Sequence, residues 1–228
     1  CKGAGPGGSP VKPELLRTQG LCLARADAPG LREVNLFVRQ GDFVTLLGLH
    51  DSGKDALCEL FRGGARPQSG RIHWLGQRVH DFTQDDWEAR RTAYIGAEEK
   101  FIRSFDLAEN LFLLRKTSLR KVFVNKAAIH TQTDTLLRKY DLPFSPGASV
   151  EDITPAQQNL VAIAKAADQG ARLIVLHNLA TGYSLFEVNE LQLLLNRVKA
   201  QGVTFIAAEN RPEIYSPLSD CMVAVRKD

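Results

Sequence analysis

The chain has 228 residues, of which 44% are hydrophobic and 24% are charged, and this composition is ordinary for a soluble globular domain. Its net charge of +3 is too small to indicate a nucleic-acid partner, and no apolar run approaches the roughly 18 residues of a membrane span. We therefore expect a cytoplasmic domain that binds no nucleic acid and does not insert directly into a membrane.

The termini and the cysteines favour a domain taken from a longer intracellular protein. The chain begins with Cys rather than Met, and residues 1–13 are rich in Gly and Pro, which is typical of a flexible linker or a cloning remnant. Residues 14–228 then form the folded domain. The cysteines are far apart and show no metal-ligand spacing, so we expect free thiols in a reducing compartment. They are Cys1, Cys22, Cys58 and Cys221.

Strand and helix patterns alternate along the folded part of the chain. Its first half predicts strands at 15–23, 31–38 and 43–47, a helix at 56–62, a hairpin at 70–80, a helix at 82–91 and a strand at 92–95. Its second half predicts a helical stretch at 107–146, helices at 154–167 and 186–200, strands at 173–176, 203–208 and 222–225, and a turn or short helix at 214–218. This alternation predicts an α/β fold with a mostly parallel sheet, and the early strands predict an antiparallel β subdomain.

One loop has the pattern of a phosphate-binding loop. Residues 48–54 have the spacing G-x-x-x-x-G-K between the apolar strand 43–47 and a helical pattern. A working loop of this type has Ser or Thr after the lysine, because that hydroxyl binds Mg²⁺. This sequence has Asp55, whose carboxylate is stabilised by a helix N-terminus and repels phosphate. The residues of this vestigial phosphate loop are Gly48, Ser52, Gly53, Lys54 and Asp55.

Two interpretations of Lys54 remain open at the level of sequence. In one, the lysine still binds a phosphate or another anion. In the other, it is a solvated or acid-paired side chain on a loop that serves only the fold. Asp55 favours the second interpretation, since it partly fills the anion site from within the chain.

Five segments, taken in order and spacing, resemble the nucleotide-binding domain of ABC transporters, and most closely the monosaccharide-importer type. They are PGLREV at 29–34, SGRI at 69–72, LAENLFL at 107–113, QQNLVAIAKA at 157–166 and GVTFI at 202–206. The resemblance covers about residues 14–228 and implies a P-loop NTPase-like, ABC ATPase-like fold with a helical insert at about 96–156. In this family one importer chain carries two such domains.

The resemblance also implies where catalysis is located, and most of those positions have changed. The adenine-stacking aromatic falls at Ala28, and the glutamine that contacts metal and water falls at about Ala97, beside Glu98. The signature Leu-Ser-Gly-Gly-Gln, which contacts the γ-phosphate from a partner domain, leaves Thr154 and Gln157 as its vestiges. These two residues also form a capping-box pattern, with Pro155 in the first turn, so we interpret them first as a helix cap.

The magnesium and switch positions of the family have changed as well. The strand at 173–176 should lead into Asp-Glu, which holds Mg²⁺ and positions the attacking water, but it leads into His177 and Asn178. An imidazole and an amide are poor Mg²⁺ ligands compared with carboxylates. The switch histidine falls at Glu209, a carboxylate that repels phosphate. We therefore expect no catalytic residues, no metal and no required cofactor, with ATP bound weakly at most.

Our first functional hypothesis is a catalytically degenerate domain, a pseudo-ATPase that acts as a regulatory or protein-interaction module of a larger protein. The alternative is an ATP-binding, weakly or non-hydrolysing cassette subunit of a sugar-type ABC importer. A third hypothesis is a different anion bound at the phosphate loop. The resemblance implies protein partners, which are transporter or regulatory domains of the same or another chain, a homodimer or heterodimer, and membrane association only through those partners. Basic residues of the insert are either a solvated face or a docking surface for a membrane subunit. They are Arg115, Lys116, Arg120 and Lys121.

Overall fold

The fold is seen in a computed structural model that describes residues 12–23, 31–48, 52–96, 101–112 and 125–225. In the first half, the elements are β1 (Glu14–Leu23), β2 (Leu31–Val34), β3 (Phe37–Arg39), β4 (Phe43–Leu47), α1 (Lys54–Arg62), β5 (Pro67–Trp74), β6 (Gln77–Arg78), α2 (Gln84–Ala89) and β7 (Thr92–Gly96). In the second half, they are α3 (Leu107–Phe112), α4 (Lys126–Lys139), α5 (Pro155–Asp168), β8 (Leu173–His177), α6 (Leu185–Ala200), β9 (Thr204–Ala208) and β10 (Cys221–Ala224). Short 3₁₀ turns occupy Val150–Asp152 and Pro212–Tyr215.

The central layer is a parallel sheet with the strand order β10-β4-β9-β8-β7. Its strands are short and apolar because helices cover both faces. Leu173 to Leu176 and Phe205 to Ala208 are all completely buried. One side of the sheet packs on α5 and α6, where Phe43 stacks on Phe205 with ring centroids 5.1 Å apart. The other side packs on α1 and on the second sheet.

The second sheet is antiparallel, with the order β2-β1-β5-β6 and β3 paired with β1. It has one buried face, as antiparallel sheets often have. Leu16, Ile72 and Trp74 point into the core beside α1, whereas Arg17 and Arg71 point away from it. The ring centroids of Trp74 and Trp87 are 6.2 Å apart, edge to face, and both residues pack in this core. The predicted α/β fold with a parallel core and an antiparallel β subdomain is confirmed.

Two predicted elements differ in detail from the observed ones. The single strand predicted at 31–38 is divided into β2 and β3, which both pair with β1. Thr18 occupies the break between them, since its hydroxyl donates to the Val34 carbonyl and accepts from the Leu36 amide. The helical stretch predicted at 107–146 contains α3 and α4, and residues 113–124 between them lie outside the described residues.

The cysteine prediction holds for two residues and is wrong for a third. Cys22 and Cys58 are free thiols, whereas Cys221 is disulfide-bonded. Cys1 lies outside the described residues. In the parts of the chain that the structure covers, no helix has both the length and the apolar character to cross a membrane.

Candidate functional site

The predicted site residues that follow β4, β8 and β9 meet at one edge of the parallel sheet, where the strands end. The register places Leu46 opposite Ala208, and Ala208 opposite His177. Because the carboxyl ends of parallel strands lie at one edge of the sheet, the residues that follow neighbouring strands lie close together. The tertiary fold therefore brings the phosphate loop, His177 and Glu209 together, although they are far apart in sequence.

The described part of the phosphate loop has two glycines in positions that favour this residue. Gly53 has a φ of +84° and directly precedes α1, a conformation that favours glycine. A Cβ on Gly48 would lie 2.2 Å from the Ser52 hydroxyl and 2.9 Å from the Val225 carbonyl. Glycine is therefore favoured at Gly53 by its left-handed backbone and at Gly48 by the close approach of neighbouring atoms. The Ser52 hydroxyl is buried and has no hydrogen-bond partner among the described residues.

Lys54 is completely buried, and all of its hydrogen-bonding capacity is used within the chain. Its ammonium donates to the Gly48 carbonyl, the Glu209 carbonyl and the Asn210 side-chain oxygen, each at 3.0 Å. An ammonium group has three N–H donors and no acceptor. No donor is left for a phosphate in this arrangement. Of the two interpretations of Lys54, the structure therefore favours a scaffold role, with carbonyl and amide oxygens as its partners instead of a carboxylate.

The side chains of Asp55 and His177 form a hydrogen bond across the site. The Asp55 carboxylate lies 2.8 Å from His177 Nε2, and both side chains are largely buried. The Tyr94 hydroxyl lies 2.7 Å from His177 Nδ1. A neutral imidazole with its proton on Nε2 satisfies both contacts, because Nε2 then donates to Asp55 and Nδ1 accepts from Tyr94. Both ring nitrogens of His177 are occupied, so neither is available to a metal ion.

The Glu209 carboxylate binds a neighbouring loop of the same chain. It accepts hydrogen bonds from the Ala180 amide at 2.8 Å, the Asn210 amide at 3.0 Å and the Thr181 hydroxyl at 3.3 Å. Glu209 is 1% exposed. Burial raises the pKa of Tyr215, and the Glu209 carboxylate raises it further. We had expected this carboxylate to face a phosphate, but its hydrogen bonds instead fix the loop that follows β8.

Asn178 follows β8 in a left-handed conformation, with a φ of +52°. Asparagine tolerates this backbone region better than most residues. Its backbone amide donates to the Ala208 carbonyl at 2.9 Å. Its side-chain oxygen is buried and has no hydrogen-bond partner in the described ranges. The residue therefore supports the turn after the strand and offers no carboxylate for a metal or a water.

Thr154 and Gln157 form a complete capping box at the start of α5. The Thr154 hydroxyl accepts from the Gln157 amide at 3.3 Å, and the Gln157 side chain accepts from the Thr154 amide at 3.0 Å. The predicted cap is therefore present. Pro155 occupies the first turn, where no backbone donor is needed.

The residues present do not fit a catalytic Mg²⁺–ATP site. Hydrolysis needs a cation on phosphate, carboxylates on the metal and a positioned water. Here the cation, Lys54, is bonded internally, and the nearest carboxylate, Asp55, is bonded to His177. None of the described His, Cys, Asp and Glu residues gather in groups of three suited to hold a metal ion.

Two residues of this network were missed by sequence reasoning, Tyr94 and Asn210. Tyr94 lies in the middle of β7, and Asn210 directly follows Glu209. The sequence offers no pattern that distinguishes them, because their partners are 83 and 156 residues away. Several expected positions cannot be placed, since Ala28, Ala97, Glu98 and the basic cluster at 115–121 lie outside the described residues.

Comparison with known proteins gives a consistent set of relatives. A family model described as ABC transporter matches residues 31–179. Ribose import ATP-binding protein RbsA 2 of Streptomyces coelicolor is 27% identical over 213 residues, which cover 93% of this chain and 41% of that protein. Galactose/methyl galactoside import ATP-binding protein MglA of Clostridium perfringens is 24% identical over 212 residues, again 93% of this chain and 41% of that protein. The chain thus spans about two fifths of the length of these curated relatives.

Solved structures share the fold. A nucleotide-free ATP-binding cassette from an ABC transporter superposes with a TM-score of 0.78 at 18% identity, covering 94% of this chain and 88% of that chain. CbiO1 from Clostridium perfringens, part of the ABC transporter complex cbiONQ, gives a TM-score of 0.77 at 19% identity, covering 95% and 86%.

Proposed function

Because this chain belongs to the ABC transporter family, as the match over most of its length shows, we propose that it is a weakly nucleotide-binding, non-hydrolysing cassette of a sugar-type importer. The names of its relatives support the sugar-importer part of this proposal. In this role the domain contributes the fold and the surfaces of a cassette, while a catalytically intact cassette supplies the hydrolysis.

The observation that carries the proposal is the complete use of Lys54 within the chain. All three of its N–H donors are bonded to protein oxygens, in a completely buried position. A nucleotide must break these hydrogen bonds and approach the Asp55 carboxylate, which repels phosphate. Both costs oppose binding, so we expect ATP affinity to be weak, with a dissociation constant on the order of 1 mM.

The same proposal implies protein partners for this domain. An importer cassette works beside a second cassette and a membrane subunit, and the curated relatives are more than twice as long as this chain. We therefore propose that the domain pairs with another cassette, in the same or a second chain, and lies on the cytoplasmic side of the membrane through that assembly.

A second candidate is a regulatory pseudo-ATPase module that binds no nucleotide. The hydrogen bond between His177 and Asp55 favours it, because this pair closes the place where magnesium would bind. In this case the cassette fold serves only for interaction with a protein partner, and the phosphate loop is a structural turn.

Isothermal titration calorimetry with ATP and ADP, with and without Mg²⁺, distinguishes the two candidates. Measurable binding without turnover supports the importer cassette, and the absence of heat at millimolar ATP supports the regulatory module. A phosphate-release assay completes the test. Robust Mg²⁺-dependent hydrolysis that Lys54→Ala abolishes would overturn both proposals.

A further inference from the structure

The outward face of the antiparallel sheet carries a row of basic side chains. Strand pairing places Arg17 opposite Phe37 on one side and opposite His73 on the other, and His73 is opposite Arg78. Residues that are directly opposite in a sheet project to the same face. With strands about 4.8 Å apart, this row extends for about 15 Å across β3, β1, β5 and β6.

Two further arginines extend the row into a patch. Arg39 is two residues after Phe37 and shares its face, and its guanidinium lies 5.8 Å from the centre of the Phe37 ring. Arg71 is two residues before His73 and is exposed. We define the basic sheet face as Phe37, His73 and four arginines, which are Arg17, Arg39, Arg71 and Arg78.

The charge of the basic sheet face is only slightly compensated by neighbouring acids. The one acidic residue of these four strands is Glu14, whose carboxylate lies 3.2 Å from Arg17 Nε. Arg71 and Arg78 form no ion pair with any residue that the structure describes. Four arginines against one glutamate give this face a net charge comparable to the +3 of the whole chain.

Polar atoms at the centre of the face lack hydrogen-bond partners. His73 Nδ1, Arg17 Nε and Glu14 Oε1 are all buried and have no hydrogen-bond partner among the described residues. The Arg17–Glu14 contact is an ion pair without hydrogen-bond geometry. Because these atoms have almost no contact with solvent, the groups that a partner can reach directly include the exposed Arg71 and Arg78.

We propose that the basic sheet face is a docking surface for an acidic segment of a protein partner. Its cations are all arginines, and the four strands contain no lysine. Arginine and aromatic residues are enriched at protein–protein interfaces, where lysine is depleted, and the planar guanidinium binds carboxylates through two parallel hydrogen bonds. Phe37, which is 43% exposed, supplies the apolar contact beside these cations.

Other anionic partners match the face less well. Single-stranded nucleic acids bind sheet surfaces through several stacking aromatics, and Phe37 is the only aromatic residue of the basic sheet face besides His73. Anionic membranes attract loosely placed clusters of basic residues, whereas these arginines are fixed in register on a rigid sheet. We therefore commit to carboxylates carried by a polypeptide, and this inference is independent of nucleotide binding.

Fluorescence anisotropy with a labelled peptide of alternating Glu and Ser tests the proposal at low salt, about 0.05 M. We expect Arg71→Gln with Arg78→Gln to weaken peptide binding about tenfold, because two charge pairs are lost. The matched control is Arg103→Gln with Arg172→Gln, which removes the same charge from exposed arginines elsewhere. This control should leave the affinity unchanged.

Three results would overturn the proposal. One is equal weakening by both double variants, which would mean that only net charge matters. Another is no binding of the peptide by the unmodified chain. The third is tighter binding of a labelled oligothymidylate or of phosphatidylserine vesicles than of the peptide, which would assign the face to a different partner. Circular dichroism of both variants confirms that they are folded.

Discussion

Asp55 and His177 are 122 residues apart in sequence and occupy two positions that serve magnesium in the family. Each substitution alone is unfavourable for binding Mg²⁺ and phosphate. Asp55 places a carboxylate beside the phosphate loop, and His177 places an imidazole where the family has a carboxylate. Together they form a hydrogen-bonded pair, which the Tyr94 hydroxyl completes. At the scale of single residues, Asp55, His177 and Tyr94 therefore form a polar network with its own stabilising contacts.

This pairing predicts the effect of restoring the family residues. In the double variant Asp55→Thr with His177→Asp, a hydroxyl and a carboxylate replace the hydrogen-bonded pair, so Mg²⁺–ATP should bind at least about tenfold more tightly. Calorimetry with and without Mg²⁺ measures the change. The matched single variant Asp55→Thr leaves His177 without its partner and should show no magnesium-dependent gain. An unchanged affinity in the double variant would mean that other positions exclude the nucleotide.

Lys54 should contribute strongly to folding. Lys54→Ala removes three hydrogen bonds and leaves the buried Glu209 carbonyl and two more accessible oxygens, of Gly48 and Asn210, without this donor, so we expect the free energy of unfolding to fall by about 2–4 kcal/mol. Urea unfolding measures the difference. Lys139→Ala is the control, since Lys139 forms an exposed ion pair with Asp168, and its loss should cost less than about 1 kcal/mol. Equal costs would contradict an internal structural role for Lys54.

The two free thiols should differ greatly in reactivity. Burial raises the pKa of the Cys58 thiol, and the nearby Asp55 and Glu59 carboxylates raise it further. The pKa of Cys22 is lowered, mainly by a hydrogen bond with Ser69 and then by the Glu33 amide. Since the thiolate is the reactive form, iodoacetamide at neutral pH should modify Cys22 much faster than Cys58. Mass spectrometry of the native protein measures both rates, and equal rates would mean that α1 opens readily.

At the scale of elements, helix caps replace functions that the family places at the same positions. Thr154 and Gln157 stand where the signature contacts phosphate, yet their side chains satisfy each other and the first turn of α5. The start of α6 is similar, because Ser184 and Glu187 form a capping box there. These caps keep the helices in place whether or not a nucleotide is present.

The α6 cap should make stability depend on pH. Hydrogen bonds from the Ser184 amide and then from its hydroxyl lower the pKa of Glu187 below its usual value of 4.5. Its stabilising contribution is therefore complete above pH 4.5 and is lost as the pH falls through the lower folded-state value. Glu187→Gln should destabilise the protein by a few tenths to about 1 kcal/mol at pH 7, and this difference should shrink in acid.

Thermal unfolding of both proteins between neutral and acidic pH measures the effect. Glu190→Gln is the matched control, because it removes the same charge from the same helix outside the capping box. If the Glu187→Gln difference stayed constant, the carboxylate would not act through its charge.

At the scale of the whole molecule, two sheets share a core in which α1 lies between them. Both tryptophans, Trp74 and Trp87, belong to the cluster on the antiparallel side, whereas Phe205 stacks on Phe43 on the opposite side of the parallel sheet. Tryptophan fluorescence therefore reports on one layer, and a change at Phe205 perturbs the other. This separation allows cooperativity between the layers to be measured.

We expect Phe205→Ala to cost about 3–5 kcal/mol, because it leaves a cavity in a completely buried position. If the layers unfold together, the urea midpoints from tryptophan fluorescence and from far-ultraviolet circular dichroism should shift equally. Phe37→Ala, at a position that is 43% exposed, should change neither midpoint appreciably. A fluorescence midpoint that stayed fixed while the dichroism midpoint moved would show that the sheets unfold separately.

The sequence by itself determined the order and type of the elements. Apolar runs such as 43–47 and 173–176 predicted buried parallel strands, and the Thr154 cap predicted the start of α5, because these patterns are local. It also identified each site position that departs from its family. Local patterning could not show that the stretch at 31–38 breaks into two strands, since the break depends on a hydrogen bond with Thr18 on β1.

Only the tertiary structure decided what the changed residues do. Lys54 donates to Glu209 and Asn210, which lie 155 and 156 residues further along the chain. His177 forms hydrogen bonds with Tyr94 on β7 and with Asp55 on α1. The Glu209 carboxylate accepts a hydrogen bond from the Ala180 amide. The arginines of the antiparallel sheet lie on one face only because of the strand register. These contacts join distant segments, so no local pattern encodes them. They follow from the parallel sheet, whose strand ends bring those segments to one edge.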